Sequence, residues 1–233
     1  MKTVLITGIN KGIGKALGDK FLNEGFAVIG TSRDGKSDYS QKNLKVFLLE
    51  LTDHTSITNC VKDIQSSISQ PPYSGKIDIL INNAGVLLDD EEKHVIVEKL
   101  RQTLEVNLFG TIDFTEQIIP MITENGHIVN MSSQAGSLGD IENFTHSHAP
   151  LRYPAYKISK TALNMYTRTL ALRLKDENTS IVVSSVHPGW VKTDMGGDEA
   201  PVLPTEAAEN IYNLAILRPE TGQFWFNGNK FPW

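Results

Sequence analysis

Three groups of residues have the types and spacing to do chemistry. The first is Tyr156-Lys157-Ile158-Ser159-Lys160, in which Tyr156 and Lys160 stand four apart. On a helix that spacing projects both from one face. A free phenol titrates near about 10 and is a poor acid or base at neutral pH. A neighbouring ammonium favours the phenolate and lowers that value, the tuning that general acid–base chemistry uses. Many solvated helices carry such a pair too. The second group is Ser132-Ser133, which follows the apolar run His127–Met131. It offers a hydroxyl at a strand end, where open α/β sheets bind their ligands; a plain strand-end turn is the other reading.

The third group is Thr7-Gly8-Ile9-Asn10-Lys11-Gly12-Ile13-Gly14, between a short apolar run and a helical stretch. Gly8 lets the backbone turn out of the strand, Gly12 admits a pyrophosphate close to the main chain, and Gly14 permits close helix–sheet packing. The helix N-terminus turns free N–H groups and a positive dipole end toward phosphate. A plain glycine turn is the competing reading; the strand–turn–helix setting favours the nucleotide one. The nucleotide's identity turns on Ser32-Arg33-Asp34, at the end of the second strand. An acid about 20 residues on usually holds a free ribose 2′-OH, and Asp34 answers by counting. The strand ends near Ser32, however, which leaves Ser32 facing the ribose with Arg33 beside it. Arg33 and Lys11 then bracket a 2′-phosphate through charge-assisted bonds, so NADP(H) is expected ahead of NAD(H). A solvated Arg33-Asp34 turn is the alternative.

These groups need elements to position them. Short apolar runs occur at Val4–Ile6, Phe26–Gly30, Leu44–Leu49, Ile77–Ile81, His127–Met131, Ile181–Val186 and Gln223–Phe226. Several are apolar throughout, as in strands buried on both faces. Helical stretches lie near 12–24, 54–69, 91–105, 107–124, 155–177 and 205–217. The alternation predicts βαβ units: a single doubly wound α/β domain over 1–233, with a mostly parallel seven-stranded sheet and helices on both faces. The chain of 233 residues is 40% hydrophobic and 21% charged, an ordinary globular composition. A net charge of −5 without a basic block does not favour nucleic acid or anionic lipid. No apolar stretch approaches a membrane span or a secretory signal. Cys60, the one cysteine, excludes an intrachain disulfide and fits a reducing, cytoplasmic setting.

Taken together, the motifs resemble the short-chain dehydrogenase/reductase family in its short single-domain form. The resemblance is carried by Thr7-Gly8-x-x-x-Gly12-x-Gly14, Asn82-Asn83-Ala84-Gly85, Asn107 within Val106–Gly110, Ser132-Ser133, Tyr156-x-x-x-Lys160 and Pro188-Gly189. They stand in the family's order across nearly the whole chain. His187–Gly197 and the ending Gly222–Trp233 look like the C-factor and sniffer-like carbonyl reductases. The resemblance implies a small carbonyl substrate, with Tyr156 as proton donor. It implies that Lys160 binds the nicotinamide ribose and lowers the Tyr156 pKa, that Ser133 orients the carbonyl, and that Asn107 holds a relay water. Cofactor contacts are implied at Gly8, Asn10, Lys11, Gly12, Ile13, Gly14, Arg33, Asn83, Ala84, Gly85, Tyr156, Lys160, Pro188, Gly189, Val191 and Thr193. Glu50 stands where the family usually has an adenine-contacting Asp, shifting that contact to the Leu51 backbone. Relatives pair through the helices near 107–124 and 155–177, which implies a homodimer or homotetramer. Two alternatives are an NAD-linked alcohol dehydrogenase and a nucleotide-binding regulatory protein.

One departure concerns Ser137–Pro154, an insertion that places Ser133 and Tyr156 23 positions apart and could line the substrate cleft. It holds His146 and His148, which lack a partnered cluster, so no metal is expected. Asp89-Asp90-Glu91-Glu92 is expected to be a solvated helix start. Trp190 and Met195 face substrate or pack in the core. Cys60, on the apolar face of its helix, is expected to be inert.

Overall fold

Val4, Leu5, Ile6, Val28, Ile29, Leu80, Ile81, Ile128 and Val129 are all wholly buried. Strands apolar on both faces must lie between two covering layers, and these do. The computed structural model describes residues 1–36, 41–143 and 151–233. The strands β1 (Thr3–Thr7), β2 (Ala27–Ser32), β3 (Leu44–Leu48), β4 (Ile77–Asn82), β5 (Ile122–Met131), β6 (Val182–Val186), β7 (Gln223–Phe226) and β8 (Asn229–Lys230) form one sheet. Its order is β3-β2-β1-β4-β5-β6-β7-β8. All pairings are parallel except β7 with β8. The eighth strand corrects the expected seven. Asn227 and Gly228 both take positive φ, 47° and 76°, which makes the tight two-residue turn that folds the chain back on β7.

The helices are α1 (Gly12–Asn23), α2 (His54–Ile68), α3 (Val97–Leu104), α4 (Thr111–Ile118), α5 (Pro154–Asp176) and α6 (Pro204–Leu217). Alternate strand residues feed the two cores. Leu5, Ile29, Leu80 and Ile128 pack with Ile57 and Ile64 of α2, Phe114 of α4 and Leu170 of α5. Val4, Ile6, Val28 and Val129 pack with Leu17 and Phe21 of α1 and Ile211 of α6. Cys60 is buried, and burial pushes its thiol up to about 12, as an inert core residue requires.

Two helices are shorter than their sequence pattern. The stretch from 91 becomes helical only at Val97, because Asp89 and Glu92 turn toward α5 instead of starting a helix (below). The stretch 107–124 begins as a π-helical turn, Glu105–Gly110, and α4 ends at Ile118. Pro120 then forces a short 3₁₀ turn, and β5 starts at Ile122.

Polar side chains also brace the sheet against the helices. Asn82 Nδ2 donates to Thr115 Oγ1 and Asn130 Oδ1, both at 2.8 Å. Asn130 Nδ2 and Ser185 Oγ each donate to Thr167 Oγ1 at 2.9 Å, and that hydroxyl donates onward to the Leu163 carbonyl. All are buried, so each depends on its partner. Thr167→Val keeps the shape but orphans the Asn130 and Ser185 donors. It should cost about 1–3 kcal/mol per orphaned group, read as a lower urea midpoint at unchanged slope.

Candidate active site

The sheet order reverses between β1 and β4, and a crevice opens there at the strands' carboxyl ends. The glycine loop borders it. Gly8 and Gly12 take φ of 71° and 55°. A Cβ at Gly14 would collide with the Gly8 carbonyl oxygen and stand 2.6 Å from Asn83 Nδ2. Asn83 fastens the loop: its Nδ2 donates to the Thr7 and Gly8 carbonyls at 2.8 and 3.1 Å. Thr7 Oγ1 accepts from the Asn83 and Ala84 N–H groups, each at 3.0 Å. No side chain caps α1 at Lys11, and Asn10 Oδ1 is buried without a partner. Uncapped N–H groups and a Cβ-free approach fit a nucleotide's phosphates, and the orphaned Asn10 acceptor fits a donor such as a ribose hydroxyl. Ile13 packs against the core under α1.

At the adenosine end, Ser32 is buried and its hydroxyl donates to Asp34 Oδ1 at 2.8 Å, which holds the Asp34 carboxyl below its usual range. Arg33 is exposed. Lys11 Nζ donates to Asp194 Oδ2 at 2.6 Å, joining the glycine loop to the segment after β6. Glu50 Oε1 accepts from the Thr52 N–H and hydroxyl. The Leu51 side chain is in the core, and its carbonyl oxygen packs against Gly110.

Tyr156 and Lys160 share the inner face of α5. Lys160 is 5% exposed; its Nζ donates to the Met131 carbonyl at 2.8 Å and lies 5.5 Å from the Tyr156 ring centre. Burial lowers the Lys160 ammonium to about 8. Burial pushes the Tyr156 phenol up to about 12, while its hydrogen bond with Ser133 pulls the other way. The Lys160 ammonium is itself desolvated and spends its bond on a backbone carbonyl. Ser133 opens a 3₁₀ turn after β5, its Oγ accepting from the Ala135 N–H at 3.1 Å. Asn107 sits in the π turn, a distortion frequent at functional sites. Its Oδ1 accepts from the Val86 N–H at 2.8 Å, and its Nδ2 donates to the Val86 carbonyl and to Ser159 Oγ. Gly85 leaves room: a Cβ there would lie 3.2 Å from Asn107 Oδ1 and 3.6 Å from Lys160 Nζ.

The segment after β6 closes the other side. Gly189 has φ 90° beside Pro188, and Val191 is buried and bridges to Val202. Thr193 packs against Gly12. Trp190 Nε1 donates to the Gly196 carbonyl at 2.7 Å, so its indole holds this turn together, and Met195 is exposed. His146 and His148 lie outside the described residues. Among the described residues no three His, Cys, Asp or Glu side chains cluster as a metal site.

Three contributors were not singled out in the sequence. Ser159 Oγ donates to the Tyr156 carbonyl at 2.7 Å and accepts from Asn107, joining the two. Tyr153 stands edge-on to Tyr156. Asp89, expected in a solvated helix start, is 2% exposed and accepts from the Ala155 N–H at 2.6 Å. Its one sequence signal is its position directly after the apolar Val86-Leu87-Leu88.

A doubly wound sheet with a glycine phosphate loop and a Ser–Tyr–Lys cluster at its carboxyl edge defines a dinucleotide-linked oxidoreductase. The short chain dehydrogenase family model matches residues 2–202, and the chain belongs to that family. It is 30% identical to carbonyl reductase [NADPH] 1 of Rattus norvegicus, over 98% of this chain and 97% of that protein. Among solved structures, NADPH-bound carbonyl reductase from chicken fatty liver superposes with TM-score 0.86 at 26% identity, covering 100% of this chain and 94% of that one. The carbonyl reductase Sniffer of D. melanogaster superposes with TM-score 0.83 at 27% identity, covering both chains fully. These relatives agree with the NADP(H)-linked reductase expected from the sequence.

The two shifted groups predict the pH profile. Tyr156 keeps its proton up to about 12, whereas the Lys160 ammonium is intact below about 8 and lost above it. The alkaline limb of kcat/KM for NADPH, which reports the free enzyme, should fall near pH 8. A limb appearing only above pH 10 would assign it to Tyr156 instead.

Proposed function

We propose that the chain is an NADPH-dependent reductase of a small ketone, aldehyde or quinone. One observation carries the reading: the Tyr156 hydroxyl hydrogen-bonds with Ser133 on the helix face it shares with the buried Lys160, on the same sheet edge as the glycine loop. A phenol so placed can give its proton to a carbonyl oxygen or take one from an alcohol, the exchange that general acid–base catalysis uses. The likeness to NADPH carbonyl reductases favours reduction over alcohol oxidation, and a Ser–Tyr–Lys cluster of this kind would serve no purpose in a protein that only binds a nucleotide.

The glycine loop (Gly8, Asn10, Lys11, Gly12, Ile13, Gly14), Asn83–Gly85 and Pro188, Gly189, Val191 and Thr193 hold NADPH, with Glu50 and Leu51 flanking the adenine. The cofactor supplies the hydride. Arg33 meets the 2′-phosphate together with Lys11, which leaves Asp194 to do so. Ser133 orients the carbonyl and Tyr156 gives its proton to the carbonyl oxygen. Lys160 binds the nicotinamide ribose and balances the phenolate that results. Asn107 holds the water through which the proton is restored, and Trp190 and Met195 border the substrate. Residues 1–233 act as one domain, on the support of the continuous sheet. No described helix is long and apolar enough to cross a membrane, and the single buried cysteine suits the cytoplasm.

The test is oxidation of NADPH and NADH at 340 nm with a panel of quinones, aldehydes and diketones. Tyr156→Phe should bind NADPH and reduce nothing. Arg33→Ala should weaken NADPH roughly 10- to 100-fold, the loss of one charged hydrogen bond, and leave NADH unchanged. A wild type that binds NADPH and reduces no carbonyl would sink the reading.

The protein is also proposed to form a homodimer through α4 and α5. Phe109, in the π turn leading into α4, is 52% exposed, and Met165 and Leu172 of α5 are 68% and 66% exposed, more apolar surface than a solvated face needs. Sedimentation should show a dimer that Met165→Glu with Leu172→Glu converts to a monomer; a monomeric wild type would refute it.

A further inference from the structure

The start of α5 is held from outside the helix. Its N-cap residue, Tyr153, has φ 46° and provides no side-chain cap. Asp89, 66 positions earlier in the chain, supplies the acceptor instead: its Oδ2 takes the Ala155 N–H at 2.6 Å. A carboxylate on a first-turn N–H is a charge-assisted bond that the helix dipole favours. Asp89 Oδ1 is nonetheless buried without a partner, which costs free energy and calls for a reason.

Tyr153 adds a second cost. A bulky residue in the left-handed region costs on the order of 1–3 kcal/mol and persists only where its surroundings over-determine it. Here they do. Its N–H donates to the Glu92 carbonyl at 3.0 Å, its ring stands edge-on to Tyr156 with centroids 6.1 Å apart, and Lys157 Nζ lies 5.2 Å over that ring. The segment after β4 thus grips the entry of α5 at two points, Asp89 on Ala155 and Glu92 on Tyr153. Both lie within one turn of Tyr156. Ser133 belongs to a different element, so the meeting of Ser133 with Tyr156 depends on where α5 begins.

We propose that Asp89 is a positioning residue for the proton donor: by capping α5 from the segment after β4, it fixes the helix entry so that the Tyr156 phenol meets Ser133. The proposal rests on the reductase reading above. Asp89 bonds to the Ala155 N–H, one residue before Tyr156, and the glycine loop has its own anchor in Asn83.

The experiment compares Asp89→Ala, Asp89→Asn and Asp89→Glu by kcat, NADPH Kd and amide hydrogen exchange. Asp89→Ala should lower kcat roughly 100-fold, the scale of a misplacement near 1 Å, with NADPH Kd within about twofold of wild type. Asn keeps an acceptor and caps as well as Asp, so Asp89→Asn should recover kcat to within about fivefold. Asp89→Glu shifts the acceptor by one methylene and should lower kcat roughly tenfold; it carries the test if the alanine variant does not fold. A kcat within about threefold of wild type in both Ala and Glu variants overturns the proposal. So does a parallel loss of NADPH affinity, or an Asn variant as slow as the Ala variant. Hydrogen exchange separates this claim from the reductase reading. Even if the wild type reduced no carbonyl, loss of protection confined to the start of α5 would uphold the grip, and unchanged protection would refute it.

Discussion

The buried Lys160 ammonium is the constraint around which the site is arranged. Taking an ammonium out of water is costly, and here its hydrogen bond goes to the Met131 carbonyl at the end of β5. That bond draws α5 onto the carboxyl edge of the sheet and carries Tyr156 with it, one turn earlier on the same face. Burial lowers the Lys160 ammonium to about 8 and pushes the Tyr156 phenol up, while the Ser133 hydrogen bond pulls the phenol the other way.

The rest of the molecule serves that contact. Glycine at 136 gives α5 its close approach, since a Cβ there would meet the Lys160 backbone, and glycine at 85 leaves room for the Asn107 amide. The Thr167 network fixes the middle of the helix to β5 and β6, while Asn107 and Ser159 tie its first turns to the loop after β4. The nucleotide crevice is fastened separately, through Asn83 and the glycine loop. The glycine loop and Tyr156 are therefore held by different residues, although both lie on one sheet edge.

Much of this was legible in the sequence, for reasons that can be named. Val4–Ile6 and His127–Met131 are apolar on both faces, and only a doubly covered sheet satisfies them. Asn227-Gly228 demands two positive φ angles, which marks a turn; it did not say that Asn229 and Lys230 would pair back as an eighth strand. The repeating pattern from 91 looked helical, but a carboxylate's partner lies 66 positions away and leaves no local trace. Likewise Lys11 appeared to be a cation waiting for phosphate, and its bond to Asp194 exists only because the loop after β6 folds across the glycine loop.

By itself, the sequence determined what depends on local pattern and residue type. The alternation of strands and helices, the glycines where backbone must come close, and a Tyr and Lys four apart on one helix all follow from short-range sterics and periodicity. Only the tertiary structure decided the rest. Whether Tyr156 is an acid or a base depends on how much water burial removes from it and on where the Lys160 ammonium points. Where α5 begins depends on Asp89, reached through the fold. Both are set by distances between segments far apart in the chain, and spacing along the sequence does not contain them.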